Sequence, residues 1–116
     1  MKWILIITGI FTCLLGTPAL AFEEPAAGWE YARVNGCLNC HDVDRKLVGP
    51  AYKEVAKKYR AEAKKLNNVA AIEARLLNKI KHGGSGVWGT AQMPANIGKM
   101  TDEEYLVTIR WILSLK

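Results

Sequence analysis

The sequence predicts an all-α domain. Apolar residues recur at helical spacing in about four segments, and nowhere do they alternate with polar ones as in a half-buried strand. There is no internal repeat, low-complexity tract or linker to divide the chain. A third observation, the run Cys37-Leu38-Asn39-Cys40-His41, suggests what so short a chain folds around.

The elements follow in order. A short helix is expected over about 27–35, with Trp29, Tyr31, Ala32 and Val34 as its apolar members and Gly36 ending it beside the cysteine motif. Residues 42–50 lack a period, carry charges and close on Val48-Gly49-Pro50, so they read as a loop. A second helix is expected over about 51–65, with Tyr52, Val55, Ala56, Tyr59 and Ala63 inward and a lysine-rich solvated face outward. Asn67-Asn68 breaks it. A third helix over about 69–81 turns Ile72, Leu76, Leu77 and Ile80 inward, with Gly83 just past its end. Residues 83–99 form a glycine-rich loop, long enough in a small domain to suggest function. Thr101 and Glu104 make a capping box for the last helix, with Tyr105, Leu106, Ile109, Ile112 and Leu113 as its apolar stripe.

Two cysteines separated by two residues and followed at once by histidine form the c-type haem attachment signature. Each thiol adds to one haem vinyl group, one turn of backbone lets both reach, and the adjacent imidazole is then aimed at the iron. The same five residues also admit a redox-active dithiol, half of a zinc site, or a small disulfide loop. A thioredoxin-like dithiol needs a βαβ setting that the helical pattern lacks. A structural zinc site needs four ligands, and only His82 and Cys13 remain to supply them.

Lys2, the apolar run of residues 3–15, the breakers Gly16 and Pro18, and Ala19-Leu20-Ala21 together read as a secretory signal with its cleavage site. The run is short against the about 20 residues that span a bilayer. Residues 1–21 are therefore expected to be removed, and residues 22–116 to form one periplasmic domain. An uncleaved membrane anchor is the rival reading. No small residue precedes Cys13, so it reads as inert rather than lipidated.

The chain carries a net charge of +5. Without Lys2, fifteen basic residues would face eleven acidic ones, a balance of +4. Such a balance can steer an acidic protein partner. It lacks the dense Lys/Arg stripe and stacking aromatics of a nucleic-acid binder, so none is expected.

An iron held by His41 alone would leave one position open to a gas or peroxide. A methionine on the far side closes it and suits electron transfer. Met100 lies beside the cap of the last helix and reads as packing. Met93 lies mid-loop before Pro94, which stiffens the backbone, and is favoured as the sixth ligand over the alternative of core filler.

With these residues in view, the chain resembles the small bacterial class I monohaem cytochromes c of the cytochrome c-551/c-552 type. The likeness runs through Cys37–His41, Val48-Gly49-Pro50-Ala51-Tyr52, Ile80-Lys81-His82-Gly83, Gly86-Val87-Trp88-Gly89, Met93-Pro94-Ala95-Asn96 and Trp111-Ile112-Leu113-Ser114. It implies the small class I cytochrome c fold, about four helices wrapped around one covalently attached haem c. It also implies thioethers at Cys37 and Cys40 and axial ligation by His41 and Met93. The Pro50 carbonyl would accept the His41 Nδ1–H, Trp88 would donate to a haem propionate, and Asn96 would hydrogen-bond near the methionine sulfur. Tyr31 and Trp111 would join the first and last helices. His82 would interact with the last carbonyls of its helix or, alternatively, with a propionate.

The implied function is a soluble periplasmic electron carrier and not an enzyme. It would shuttle single electrons between a membrane cytochrome complex and a terminal reductase or oxidase, such as a nitrite reductase. Redox partners would dock transiently at the haem edge, with Lys46, Lys53 and Lys99 nearest. The processed protein is expected to be a monomer that does not span a membrane. The rivals are a haem enzyme or gas sensor with an open sixth position, and a haem-free dithiol or metal module.

So small a core leans on its cofactor. The haem-free polypeptide is therefore expected to lack a cooperative thermal transition, which calorimetry of the apoprotein checks.

Overall fold

In the computed structural model, which describes Gly16 and residues 24–116, four helices run in the order α1 (Glu24–Val34), α2 (Tyr52–Leu66), α3 (Val69–His82) and α4 (Asp102–Ser114). A short 3-10 turn at Cys37–Asn39 follows α1. Among the described residues the only extended pairing is an isolated bridge between Gly84 and Met93. The all-α expectation is met. The predicted signal (residues 1–21), with Cys13 and the cleavage site, lies almost wholly outside the described residues.

The largest departure from expectation is in α1. It begins at Glu24, earlier than the apolar spacing suggests, because Pro25 sits in the first turn, where a missing N–H costs no hydrogen bond. Its inward face is also different. Trp29 is 43% and Val34 58% exposed, while Ala32 is fully buried and Gly28 is buried one turn before it. Small residues are required there because α1 lies almost on top of α4. A Cβ on Gly28 would stand 2.3 Å from the Trp111 Cβ and 2.9 Å from the Val107 carbonyl. Trp111 of α4 rests on Gly28 and also meets Tyr52 edge-on, with ring centroids 5.5 Å apart.

The other helices follow their apolar spacing closely. In α2, Tyr52, Val55, Ala56 and Tyr59 are buried. The chain reverses into α3 within two residues. Asn67 takes a left-handed conformation at φ 48°, which asparagine tolerates, and the Asn68 side chain caps α3 by accepting from the Ala71 N–H at 3.0 Å. The capping box of α4 forms in both directions: Thr101 Oγ1 accepts from the Glu104 N–H at 3.2 Å, and the Glu104 carboxylate accepts from the Thr101 N–H at 2.8 Å.

Ile72, Tyr105 and Ile109 are wholly buried, with Val55, Tyr59, Leu76 and Ile112 around them. Thr108 shares this interior because its hydroxyl donates to the Glu104 carbonyl one turn back, at 2.9 Å. Ion pairs brace the helices from outside. Glu62 on α2 takes both Lys58 (2.7 Å) and Arg75 of α3 (2.5 Å), and Arg110 of α4 reaches Glu73 of α3 at 3.1 Å. Exposed pairs of this kind contribute about 0–1 kcal/mol each, so the packing of α1 on α4 and the apolar core carry the fold.

Gly28→Ala tests that packing. Helix propensity alone would favour alanine by about 1 kcal/mol. The clash falls on a backbone carbonyl and on the Cβ of Trp111, neither of which can swing aside, so a net loss of about 1–2 kcal/mol is expected from overpacking. The denaturant midpoint of the intact protein reads the sign, and a stabilised variant would contradict the close approach.

Candidate functional site

The cysteine motif is shaped by its own backbone. Gly36 leaves α1 with φ 77°, and the N–H groups of Cys40 and His41 both donate to the Cys37 carbonyl, at 3.2 and 3.0 Å. This tight turn puts Cys37, Cys40 and His41 side by side on one cleft. Both cysteines are half-buried, and no disulfide joins them. Burial pushes the Cys37 thiol up, with the Lys99 charge and the Tyr52 hydroxyl partly offsetting it. Among the described residues no group of three or more His, Cys, Asp or Glu side chains could hold a metal ion, so the zinc reading gains no support.

Residues 42–50 fold back over the motif. The Asp42 carboxylate accepts from the Asp44 and Arg45 N–H groups, and the Gly49 N–H donates to the Cys40 carbonyl at 2.8 Å. The first N–H groups of α2, which no helical carbonyl can satisfy, reach into this loop: Tyr52 donates to the Asp42 carbonyl (2.9 Å) and Lys53 to the Val43 carbonyl (3.0 Å). The loop is therefore fastened to α2 at one end and to the motif at the other.

His41 is fixed from three directions. Its Nδ1 lies 2.8 Å from the Pro50 carbonyl oxygen. A carbonyl only accepts, so Nδ1 carries the proton and the lone pair is left on Nε2, the tautomer suited to binding a metal. The Tyr52 ring stacks on the imidazole with centroids 4.8 Å apart and planes 12° apart. Gly49 lies so close that a Cβ would stand 2.5 Å from the ring's Cε1.

Met93 reaches the same cleft from the 83–99 loop, which is better fixed than its glycines suggest. Gly84 and Met93 exchange two backbone hydrogen bonds, both 2.9 Å. Gly83, at φ 69°, ends α3 and passes so near the Met93 carbonyl that a Cβ would stand 2.2 Å from it. Farther on, the Asn96 N–H meets the Ile80 and Lys81 carbonyls at the open end of α3. The buried Tyr105 hydroxyl donates to the Asn96 carbonyl and accepts from the Met100 N–H at 3.3 Å.

The seven residues expected to hold or touch the haem, Cys37, Cys40, His41, Pro50, Trp88, Met93 and Asn96, line this one cleft. Its walls include the apolar Val48, Val55, Leu76, Ile80, Ile109 and Ile112. Trp88 stands on the rim, 37% exposed, close to Tyr59. The Asn96 amide donates to the Pro94 carbonyl at 3.0 Å, so here it tightens the turn next to Met93. Lys99 lines the cleft, Lys53 pairs with Asp44 at 2.5 Å, and Lys46 is exposed in a shallow hollow beside Trp88. His82 is exposed in the last turn of α3, outside the residues that line the cleft. Two thiols, an imidazole with a free Nε2 and a thioether around one apolar cleft make a donor set that fits a covalently tethered haem. Sequence reasoning missed Tyr52 as a neighbour of His41, Gly49 as its stop and Tyr105 as the knot of the Met93 loop. Only Gly49, between Val48 and Pro50, carried a local signal.

A family model described as cytochrome c matches residues 25–116. Cytochrome c-552 of Hydrogenobacter thermophilus is 38% identical over 107 residues, which cover 92% of this chain and 96% of that protein. Cytochrome c-551 of Pseudomonas aeruginosa is 43% identical over 81 residues, 70% of this chain and 69% of that one. The crystal structure of wild-type Nitrosomonas europaea cytochrome c552 superposes with a TM-score of 0.65 at 40% identity, covering 76% of this chain and 99% of that one.

Gly49→Ala would press a methyl group into the His41 ring. It is expected to cost about 1–3 kcal/mol of stability and to move the proton resonance of the His41 Nδ1–H, read by NMR. An unmoved resonance would show that Gly49 does not limit the ring.

Proposed function

This chain belongs to the cytochrome c family, as a small class I member with one covalently attached haem c and its iron, and from that premise we propose that it is a periplasmic carrier of single electrons whose iron is held by His41 and Met93. The observation that carries the proposal is the His41 Nδ1–H donated to the Pro50 carbonyl at a cleft that Met93 also lines. Electron transfer itself follows from the family, not from any one residue.

When bound, the haem supplies an iron that gains and loses one electron. The chain's own residues do the rest. Cys37 and Cys40 tether the group by thioethers, and His41 offers Nε2 while Pro50 fixes its tautomer and raises its basicity. Met93 offers a thioether, a weak neutral donor that favours the reduced state and keeps small molecules off the position. Trp88 on the rim has an indole N–H to donate to a propionate, and Asn96 steadies the turn carrying Met93. The apolar walls keep water from the group.

We place the protein in the periplasm after cleavage behind Ala21, with residues 22–116 as the mature domain. Among the described residues no helix is long and apolar enough to cross a membrane. Partners would dock briefly through a small interface of under about 1,200 Å². A membrane cytochrome complex would serve as donor and a terminal reductase or oxidase, such as a nitrite reductase, as acceptor. Lys79 and Lys99 line the cleft and Lys46 lies in the hollow beside Trp88, and these cations would steer them.

Absorption spectra of the oxidised and reduced exported protein test haem type, attachment and ligation together. The wild type is expected to show a sulfur-to-iron charge-transfer band at the red end of the oxidised spectrum. Met93→Ala is expected to abolish that band, lower the potential and admit carbon monoxide. A variant with unchanged coordination would refute Met93 as ligand, and a high-spin wild type that binds carbon monoxide would favour the enzyme or sensor.

A further inference from the structure

We propose that Tyr52 is a positioning residue, whose ring sets the rotation of the His41 imidazole about its own axis and thereby the orientation in which the ligand plane meets the iron. This rests on His41 being an axial ligand, as proposed above. A ligating histidine can bind through Nε2 at any rotation about the metal–nitrogen bond, so something in the protein must choose one. The Pro50 carbonyl holds the Nδ1–H and the Gly49 backbone crowds the ring near Cε1, but neither presents a flat surface to a face of the ring. Tyr52 covers a face: the rings are 12° from parallel with centroids 4.8 Å apart.

The tyrosine is itself immobile, which a rotational stop requires. Its backbone N–H is bound to the Asp42 carbonyl, on the residue next to His41, at 2.9 Å. Its side chain is buried, 5% exposed, and Trp111 of α4 meets it edge-on at 82°. Trp111 is in turn seated on Gly28 of α1. The imidazole therefore leans on a stack that ends in the close α1–α4 contact. The Tyr52 hydroxyl lies beside the Cys37 sulfur, but that group is separate from the stacked face, and the two can be tested apart.

The readout is the pattern of haem methyl hyperfine shifts in the NMR spectrum of the oxidised holoprotein. It follows the orientation of the axial ligand planes and is insensitive to a general loss of stability. Tyr52→Phe keeps the ring and removes the hydroxyl, and is expected to leave the order and spread of the methyl shifts as in the wild type. Tyr52→Leu keeps bulk and removes the flat face, and is expected to reorder the methyl shifts while the Met93-dependent band persists. A Leu variant with the wild-type pattern overturns the proposal, as does a Phe variant altered as much as the Leu variant. If Tyr52→Leu yields no folded holoprotein, Tyr52→Met is read by the same criterion. Failure of the underlying ligation would show separately, as a wild-type spectrum without the shifted ring resonances of a bound histidine.

Discussion

The hydrogen bond from His41 Nδ1 to the Pro50 carbonyl is the constraint on which the rest of the structure depends. It joins the end of the cysteine motif to Pro50, two residues before α2 and nine positions later. To make it, the 42–50 loop must double back, and every feature of that loop serves this return. Asp42 caps the turn, Gly49 lets the backbone approach the imidazole, and the unsatisfied N–H groups at the start of α2 bind the loop carbonyls. Proline at position 50 fits because its carbonyl is needed and its missing N–H is not. One bond of ordinary strength is worth about 1 kcal/mol net. Its importance lies in the choice of tautomer, which decides whether Nε2 can bind a metal at all.

A second fastening mirrors the first. The Met93 loop is glycine-rich and exposed, yet it is tied at Gly84, at the carbonyl end of α3 and at Tyr105 of α4. The helix end matters most here, because its last carbonyls need partners and the loop supplies N–H groups from Asn96 and Ile97. His41 and Met93 are thus presented by segments locked to different helices. On the proposed ligation, the two donors would be held in place whatever the charge on the iron. A carrier that makes and breaks no bond gains from such stiffness, since little has to move when the electron arrives or leaves.

Much of this was legible in the sequence, and what was not has physical reasons. The helices α2, α3 and α4 could be placed closely because each buries one stripe with period 3.6 and carries a local stop or start signal. These are Asn67-Asn68, Gly83 and the Thr101–Glu104 box. The motif residues could be read because covalent attachment demands a fixed spacing. In α1 the same logic failed: its stripe is made of Gly28 and Ala32, which no hydrophobicity rule ranks above Trp29 and Val34. Close helix approach rewards small size, and that depends on what α4 presents from some eighty residues away. Tyr52 was legible as core but not as a neighbour of His41, and Tyr105 not as the anchor of a loop. Both roles exist only after distant segments meet.

Charge placement completes the functional logic. Glu30, Asp42, Asp44, Glu62, Glu73, Asp102 and Glu103 all pair with bases of this chain, so most of the described acidic charge is spent on bracing helices and loops. What remains to act at a distance is positive, and two of those cations, Lys46 and Lys99, stand at or beside the mouth of the cleft. Exposed charges act over about 10 Å at moderate salt, enough to orient an approaching acidic surface but not to hold it. For a carrier that must leave one partner to find the next, weak attraction is the useful arrangement: on the proposed docking it would raise the encounter rate and leave dissociation fast.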